Sequence, residues 1–333
     1  MTLHNNPELF KDAITATAQQ MKIAEIYVEK DYWVTLALKT IFESEIGKEA
    51  VFKGGTSLSK CYKLIERFSE DIDLVVLRRE GESDNQLKTK IRNLTNLVGT
   101  VMPEIEVEGI TRKMGMNRKT AHAYAKGEFK GEFGQIREHI VVEATWLGNF
   151  EPYTTAEVSS FIAEMMRSNG QQALIDEYGL QAFTVRVLTK ERTICEKIMS
   201  LVRFSYTEEP YEELAKKIRH IYDIHMLLKD AAAFFDSEEF DKLLNMVGKD
   251  DILTYKNNNG WLSAPPQNAI IYAEPEVTWA AIRQPYRTTF KDLVTGRLPE
   301  ESELIDTLKR VSKRLQSVVW SAGIFGRANN SLC

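Results

Sequence analysis

The chain has 333 residues, 43% hydrophobic and 27% charged, with a net charge of −5; that length suits about two domains of roughly 150 residues each and excludes collagenous and disordered classes. The negative balance argues against a protein that coats nucleic acid non-specifically, since such binding runs on Lys and Arg neutralising phosphates. Three cysteines (Cys61, Cys195, Cys333) are too scattered for a disulfide framework or a zinc site and suit a reducing, cytoplasmic compartment, and neither a signal segment over 1–10 nor a membrane-spanning apolar run is expected.

In chain order, residues 30–42 predict a mostly apolar helix and 51–53 a short strand ending at Gly54-Gly55. A helix over 56–66 follows, opened by the capping types Thr56 and Ser57. Next come a strand over 72–77, a helix over 86–98, and strands over 106–113, 119–128 and 136–146, separated by Gly- and Asn-bearing turns. From Leu188 the period becomes helical, with Ile194, Ile198 and Leu201, then Leu214, Ile218, Ile221 and Leu228, at helix spacing. Asn257 to Gly260, with Pro265-Pro266 beyond, reads as a linker. A last helix carries Leu304, Leu308, Val311, Leu315 and Val318 on one face. The expectation is an α/β domain over 1–185 and a helical domain over 186–333.

Local charge departs from the overall balance. Residues 111–137 hold seven basic residues (Arg112, Lys113, Arg118, Lys119, Lys126, Lys130, Arg137) against two acidic ones (Glu128, Glu132). Arg112, Lys113, Arg118 and Lys119 are the candidates for contact with RNA phosphates; a solvated charged face is the plainer alternative. The final helix also leans basic, through Lys309, Arg310, Lys313 and Arg314.

The chemistry concentrates in two short segments. Phe52-Lys53-Gly54-Gly55-Thr56-Ser57 places glycines at a strand end leading into a helix, where backbone amides can approach an anion and Ser57 adds a hydroxyl. A glycine pair also ends strands for ordinary turn reasons. Asp71 and Asp73 lie two apart on a strand, so their carboxylates leave the same face about 6.6 Å apart along the chain. Two anions held together repel unless a cation sits between them, and hard oxygen ligands suit Mg²⁺. An exposed strand edge is the other reading of that pair. Together, a phosphate cradle and an acidic strand bring triphosphate and metal to one spot.

This arrangement resembles the nucleotidyltransferase fold of the polymerase-β superfamily. The wider blocks are Val28-Glu29-Lys30-Asp31-Tyr32-Trp33, Phe52 through Lys60, and Arg67-Phe68-Ser69-Glu70-Asp71-Ile72-Asp73-Leu74. Glu191-Arg192-Thr193 with Glu196-Lys197, and Arg219-His220-Ile221-Tyr222-Asp223, follow in order. They resemble the AbiEii/AbiGii toxin-type nucleotidyltransferases over about residues 28–228.

The resemblance implies an α+β fold: a polymerase-β-like core of mixed sheet and helices, then a mainly helical C-terminal domain completing the active site. It implies metal-dependent transfer of a nucleotide from an NTP, with Mg²⁺ (or Mn²⁺) as cofactor and a cognate antitoxin as partner. The implied acceptor is the 3′ end of tRNA. Asp71 and Asp73 would hold metal, joined by a third carboxylate, for which Glu143 in a strand of Val141, Val142 and Ala144 is the candidate; it could also take the proton of the attacking hydroxyl. Gly54, Gly55, Thr56, Ser57 and Lys60 would bind the nucleotide. Lys197 would offset charge on pyrophosphate, and Asp223 would hold Lys197 or a substrate group. Three rivals remain: a non-catalytic RNA- or antitoxin-binding module, a nucleotidyltransferase acting on a protein or small molecule, and a sugar transferase using Asp-x-Asp. The glycine cradle before the acidic strand disfavours the last.

Overall fold

In the computed structural model, which describes residues 1–113, 115–127, 129, 136–255 and 258–321, the first elements are helices α1 (Pro7–Met21) and α2 (Glu25–Phe42). Asn6 caps α1 by accepting the Leu9 N–H, and Pro7 at its first position gives up an amide that would lack a partner anyway. Helix α2 begins five residues before the expected start. It is buried on nearly every side, including Glu29, Lys30 and Asp31. An apolar helix buried all round belongs in a core.

Strand β1 (Ala50–Lys53) runs into the short helix α3 (Gly54–Lys60), then β2 (Ile72–Val76) and α4 (Asp84–Val98) follow. Next are β3 (Glu104–Ile105), β4 (Asn117–His122), β5 (Ile140–Thr145), β6 (Tyr153–Val158), α5 (Phe161–Ser168), α6 (Gln172–Glu177) and β7 (Phe183–Leu188). The seven strands form one mixed sheet in the order β3-β4-β5-β2-β1-β7-β6. β2 pairs parallel with β5 and β1 parallel with β7, while the remaining neighbours are antiparallel. Period-two alternation divides the faces. Phe52, Ile72, Leu74, Val76, Val142 and Ala144 join the main core with residues of α1, α2 and α4. Val51, Val75 and Leu188 form a small apolar cluster of their own.

The chain divides into two compact units, Met1–Lys63 with Phe68–Leu188, and Leu64–Arg67 with the residues from Thr189 onward. Residue 185 lies inside β7. The second unit is helical: α7 (Lys190–Phe204), α8 (Pro210–Ala215), α9 (Ile218–Asp230), α10 (Ala232–Phe235), α11 (Glu238–Thr254), α12 (Ile270–Ala273), α13 (Pro275–Ile282) and α14 (Glu301–Gln316). Thr189 caps α7 through the Arg192 N–H. The periodic residues Ile194, Ile198, Leu201, Ile221, Leu228, Leu304, Leu308, Val311 and Leu315 are all buried.

The local departures from expectation have local causes. Helix α3 stops at Lys60, and Lys63 takes a left-handed φ of 56°, so the helix expected to 66 cannot continue. The strand expected over 106–113 is instead a turn, with the Ile110 and Thr111 amides donating to the Val107 carbonyl and Gly109 at φ 75°. The strand expected over 119–128 is β4, which starts two residues earlier and ends at His122 (residue 128 lies outside the described residues), and the one expected over 136–146 is shortened to β5. The linker expected at 257–266 is a connection inside the second unit, with Trp261 and Pro266 buried; Asn257 lies outside the described residues. Cys195 is a fully buried core residue and Cys61 a half-buried one, both free, while Cys333 also lies outside the described residues.

Candidate active site

The register of four adjacent strands builds the first centre. Lys53 on β1 lies opposite Asp73 on β2, Asp73 opposite Glu143 on β5, and Glu143 opposite Lys119 on β4. Directly opposed residues share a face. The result is one charged rung across the sheet, two carboxylates in the middle and a lysine at each end. Asp71, two residues before Asp73, adds a third carboxylate at the start of β2.

The three carboxylates differ in their partners. Glu143 accepts hydrogen bonds from Lys119 Nζ at 3.0 Å and Asn117 Nδ2 at 2.6 Å. Burial pushes its pKa up, but Lys119 and Asn117 outweigh burial and hold it below the usual range. Asp71 is paired with Arg137 Nη1 at 2.5 Å. Asp73 has neither a hydrogen bond nor an ion pair among the described residues. Burial, followed by the charges of Asp71 and Glu143, pushes its carboxyl up to about 7.

Gly54 makes room for Asp73. It adopts φ 81°, and a Cβ there would meet Asp73 Oδ2 at 2.2 Å. Both the backbone conformation and the close approach call for glycine. The remaining residues expected to bind nucleotide are turned inward. The Thr56 hydroxyl lies 3.0 Å from Ser69 Oγ, and Ser57 Oγ donates to the Gly54 carbonyl at 2.9 Å. Both side chains are buried. Lys60 is buried too, 2.6 Å from Asp31 Oδ1 and 3.2 Å from the Ser159 carbonyl. These contacts tie α3 to α2 through Lys60.

Glu29, Lys30 and Asp31 of the first family-like block are all buried on α2, and Lys30 braces the approach to the acidic strand. Lys30 Nζ donates to the carbonyls of Arg137 and, at 2.6 Å, His139, and lies 3.4 Å from Glu70 Oε2. Burial draws its pKa down to about 8. Glu70 in turn accepts the Arg137 N–H at 2.9 Å. The backbone just before β5 is therefore fastened to the residue just before Asp71. Glu29 accepts the Gly127 N–H at 2.7 Å, and burial lifts its carboxyl to about 7.

The basic segment is largely neutralised within the fold. Lys113 pairs with Glu104 and Glu106, Arg118 with Glu104, Lys119 with Glu143, Lys126 with Glu138 and Arg137 with Asp71. Arg112 and Lys113 are exposed. Glu128, Lys130 and Glu132 lie outside the described residues. The excess of five charges counted along the chain is thus offset by acids drawn from other elements.

The second unit holds its own polar centre. Asp223, fully buried on α9, receives Arg67 in a bidentate pair (Nε at 2.7 Å, Nη2 at 2.8 Å) and Lys197 Nζ from α7 at 2.8 Å. Burial alone would raise its pKa, but the two cations overcome burial and keep the carboxyl well below the usual carboxylate range. His220 is held neutral by burial and by Lys197. Arg67 had no role from sequence. Its position in the block before Asp71 was visible, but a partner 156 residues later was not.

Among the described residues, no group of three or more His, Cys, Asp or Glu side chains is arranged to hold a metal ion as it stands. The donor chemistry nonetheless fits a hard divalent cation. Asp73 is an oxygen donor without a partner among the described residues, and its two acidic neighbours are each already drawn to a positive charge.

A mixed sheet with a glycine-backed acidic strand and a helical second unit is the architecture of a nucleotidyltransferase. A family model described as nucleotidyl transferase AbiEii toxin, type IV TA system, matches residues 36–310. The chain belongs to this AbiEii family and is a nucleotidyltransferase toxin of a type IV toxin–antitoxin system. That class of enzyme uses an NTP and generally a divalent metal, and the toxin has a cognate antitoxin. Among solved structures, MenT4, a nucleotidyltransferase toxin from Mycobacterium tuberculosis H37Rv, is similar at 15% identity and TM-score 0.45, covering 94% of this chain and 98% of that one. No curated protein matches. No helix among the described residues is long and apolar enough to cross a membrane.

Proposed function

We propose that this toxin moves a nucleotide from an NTP onto RNA, at the 3′ end of tRNA, in the cytoplasm, using Mg²⁺ or Mn²⁺ held by Asp71, Asp73 and Glu143. One observation carries the reading: Asp73, without a partner among the described residues, is lodged against Gly54 with two other carboxylates beside it. A fold without a cation to hold has no reason to keep three such groups together, because their mutual repulsion is destabilising. The tRNA acceptor rests on the resemblance of the sequence blocks to the family.

When bound, the divalent cation supplies charge neutralisation and polarises phosphoryl oxygens. The chain's own groups do the remaining work, which is positioning and electrostatics. Asp73, Asp71 and Glu143 present oxygen donors from one sheet face. Glu143, held ionised by Lys119 and Asn117, suits the role of donor better than that of proton acceptor. Gly54 and Gly55 let the backbone approach phosphate without a Cβ in the way, while Thr56 and Ser57 hold that turn in shape. Lys197, oriented by Asp223, is assigned to charge on the departing pyrophosphate, again on the family resemblance.

The test is incubation with each labelled NTP and total RNA, in Mg²⁺ and in excess chelator. Chelator-sensitive label at RNA 3′ ends is the expected result. Label on protein would keep the chemistry and replace the acceptor, an outcome favoured by the internal pairing of Lys113, Arg118 and Lys119. Growth arrest that persists in Asp73→Asn would instead make the protein a binding module.

A further inference from the structure

Two of the three acidic carboxylates, Glu143 and Asp71, already carry cations supplied by the chain, and among the described residues Asp73 has none. Lys119 reaches Glu143 from the neighbouring strand, and Arg137 reaches Asp71 from the segment before β5. These pairs differ from the two ion pairs that α2 buries in the same unit. Lys60 and Asp31 are almost wholly buried, and so are Lys30 and Glu70. In contrast, Lys119 and Glu143 are each 29% exposed, Arg137 35% and Asp71 29%. Solvent can replace either partner in such a pair, so it is held weakly. The backbone of Arg137 stays fastened through its N–H to Glu70 and its carbonyl to Lys30 while its side chain is only about two-thirds buried. Release therefore requires only that two long side chains swing, with no movement of the sheet.

We propose that Lys119 and Arg137 are built-in counter-cations that occupy the metal-holding carboxylates in the free protein and transfer to the phosphates of an incoming NTP as the divalent cation takes their place. The inference rests on the metal-holding role assigned above to Asp71, Asp73 and Glu143. Two consequences follow from charge alone. The free protein binds a divalent cation weakly, because the cation competes with two positive groups a few ångströms away. Nucleotide and cation bind with positive coupling, because a triphosphate draws off the competitors, and coupling of this kind is reciprocal.

The experiment is a Mn²⁺ titration of the full chain at fixed pH, followed by calorimetry or electron paramagnetic resonance, with and without a non-transferable NTP analogue. Lys119→Gln and Arg137→Gln should each tighten Mn²⁺ binding to the nucleotide-free protein by about tenfold. Each should also weaken analogue binding at saturating Mn²⁺ and shrink the coupling. Lys119→Arg, which keeps the charge, should stay near wild type and guards against a packing effect. Unchanged Mn²⁺ affinity in both Gln variants, in a wild type that binds Mn²⁺ and an Asp73→Asn variant that does not, would overturn the counter-cation role and leave the metal site standing. Failure of the wild type to bind Mn²⁺ even with the analogue present would overturn the metal site itself, and the counter-cation role with it.

Discussion

Asp73 and Asp223 are both buried or half-buried aspartates, one in each unit, and their surroundings are opposite. Around Asp73 lie two more carboxylates, and nothing donates to it among the described residues. Asp223 receives an arginine in bidentate fashion and a lysine. The first is held at a cost to folding, which on the proposed reading a bound cation would offset. The second is already satisfied, and its charge holds Arg67 and Lys197 in fixed positions. A site that must capture something is kept incomplete, whereas a site that positions side chains is closed.

The largest expected effect tests the first half of that contrast. Asp73→Asn should lower nucleotide transfer on the order of 10³-fold or more, since the donor set loses its central charge. Its melting temperature in chelator should be no lower than wild type. Transfer at the wild-type rate would remove Asp73 from the site.

Asp223→Asn should do the reverse and act first on stability. Leaving Arg67 and Lys197 buried without their anion should cost about 3–5 kcal/mol in denaturant unfolding. Lys197→Ala should cost less stability than that, because Arg67 still neutralises Asp223, while reducing turnover. If Lys197→Ala turns over nucleotide normally, Lys197 is a structural partner of Asp223 and no more.

Gly54→Ala sharpens the picture of how tightly Asp73 is seated. A methyl group at φ 81°, placed 2.2 Å from Asp73 Oδ2, should cost about 1–3 kcal/mol and displace the carboxylate. Activity should fall more than stability, and Mn²⁺ affinity should fall with it. An alanine variant as stable and as active as wild type would contradict the observed approach.

The smallest effect is the pH dependence of stability in chelator, where the two aspartates should have opposite signs. Asp73 has a raised folded-state pKa of about 7. Its penalty is absent below the unfolded value near 4 and grows as pH rises through 7. Asp73→Asn should therefore be more stable than wild type by on the order of 1–2 kcal/mol at pH 8, with no gain at pH 4. Asp223 is depressed. Its contribution is present above the unfolded value and is lost as acid protonates it. Unfolding curves of the two Asn variants across pH 2–8 check both signs, Asp223 in the acid limb and Asp73 in the limb from pH 4 upward.

Much of the fold was legible because secondary-structure periods are local. Ile72, Leu74 and Val76 share a face through a period of two that any strand imposes, and Leu304 through Leu315 share one through the period of the helix. The alternating strand at 183–188 and the capped helix at 7–21 went unread, although Phe183, Val185 and Val187 do alternate with Thr184 and Arg186. The AbiEii family was legible from its blocks because those residue types recur in one order along the chain.

The sequence by itself determined the glycine pair, the acidic strand and the helical half, since each depends on neighbours a few residues away. Only the tertiary structure decided that Glu143 stands opposite Asp73 and Lys119 opposite Glu143, because strand register follows from which strands become neighbours. It likewise decided that Arg67 closes on Asp223, that Glu29, Lys30 and Asp31 go inside, and that the basic segment is met by acids from other elements. The reason is physical. Backbone geometry acts over a few bonds, whereas charge and burial act through space between groups as distant along the chain as Arg67 and Asp223, 156 residues apart.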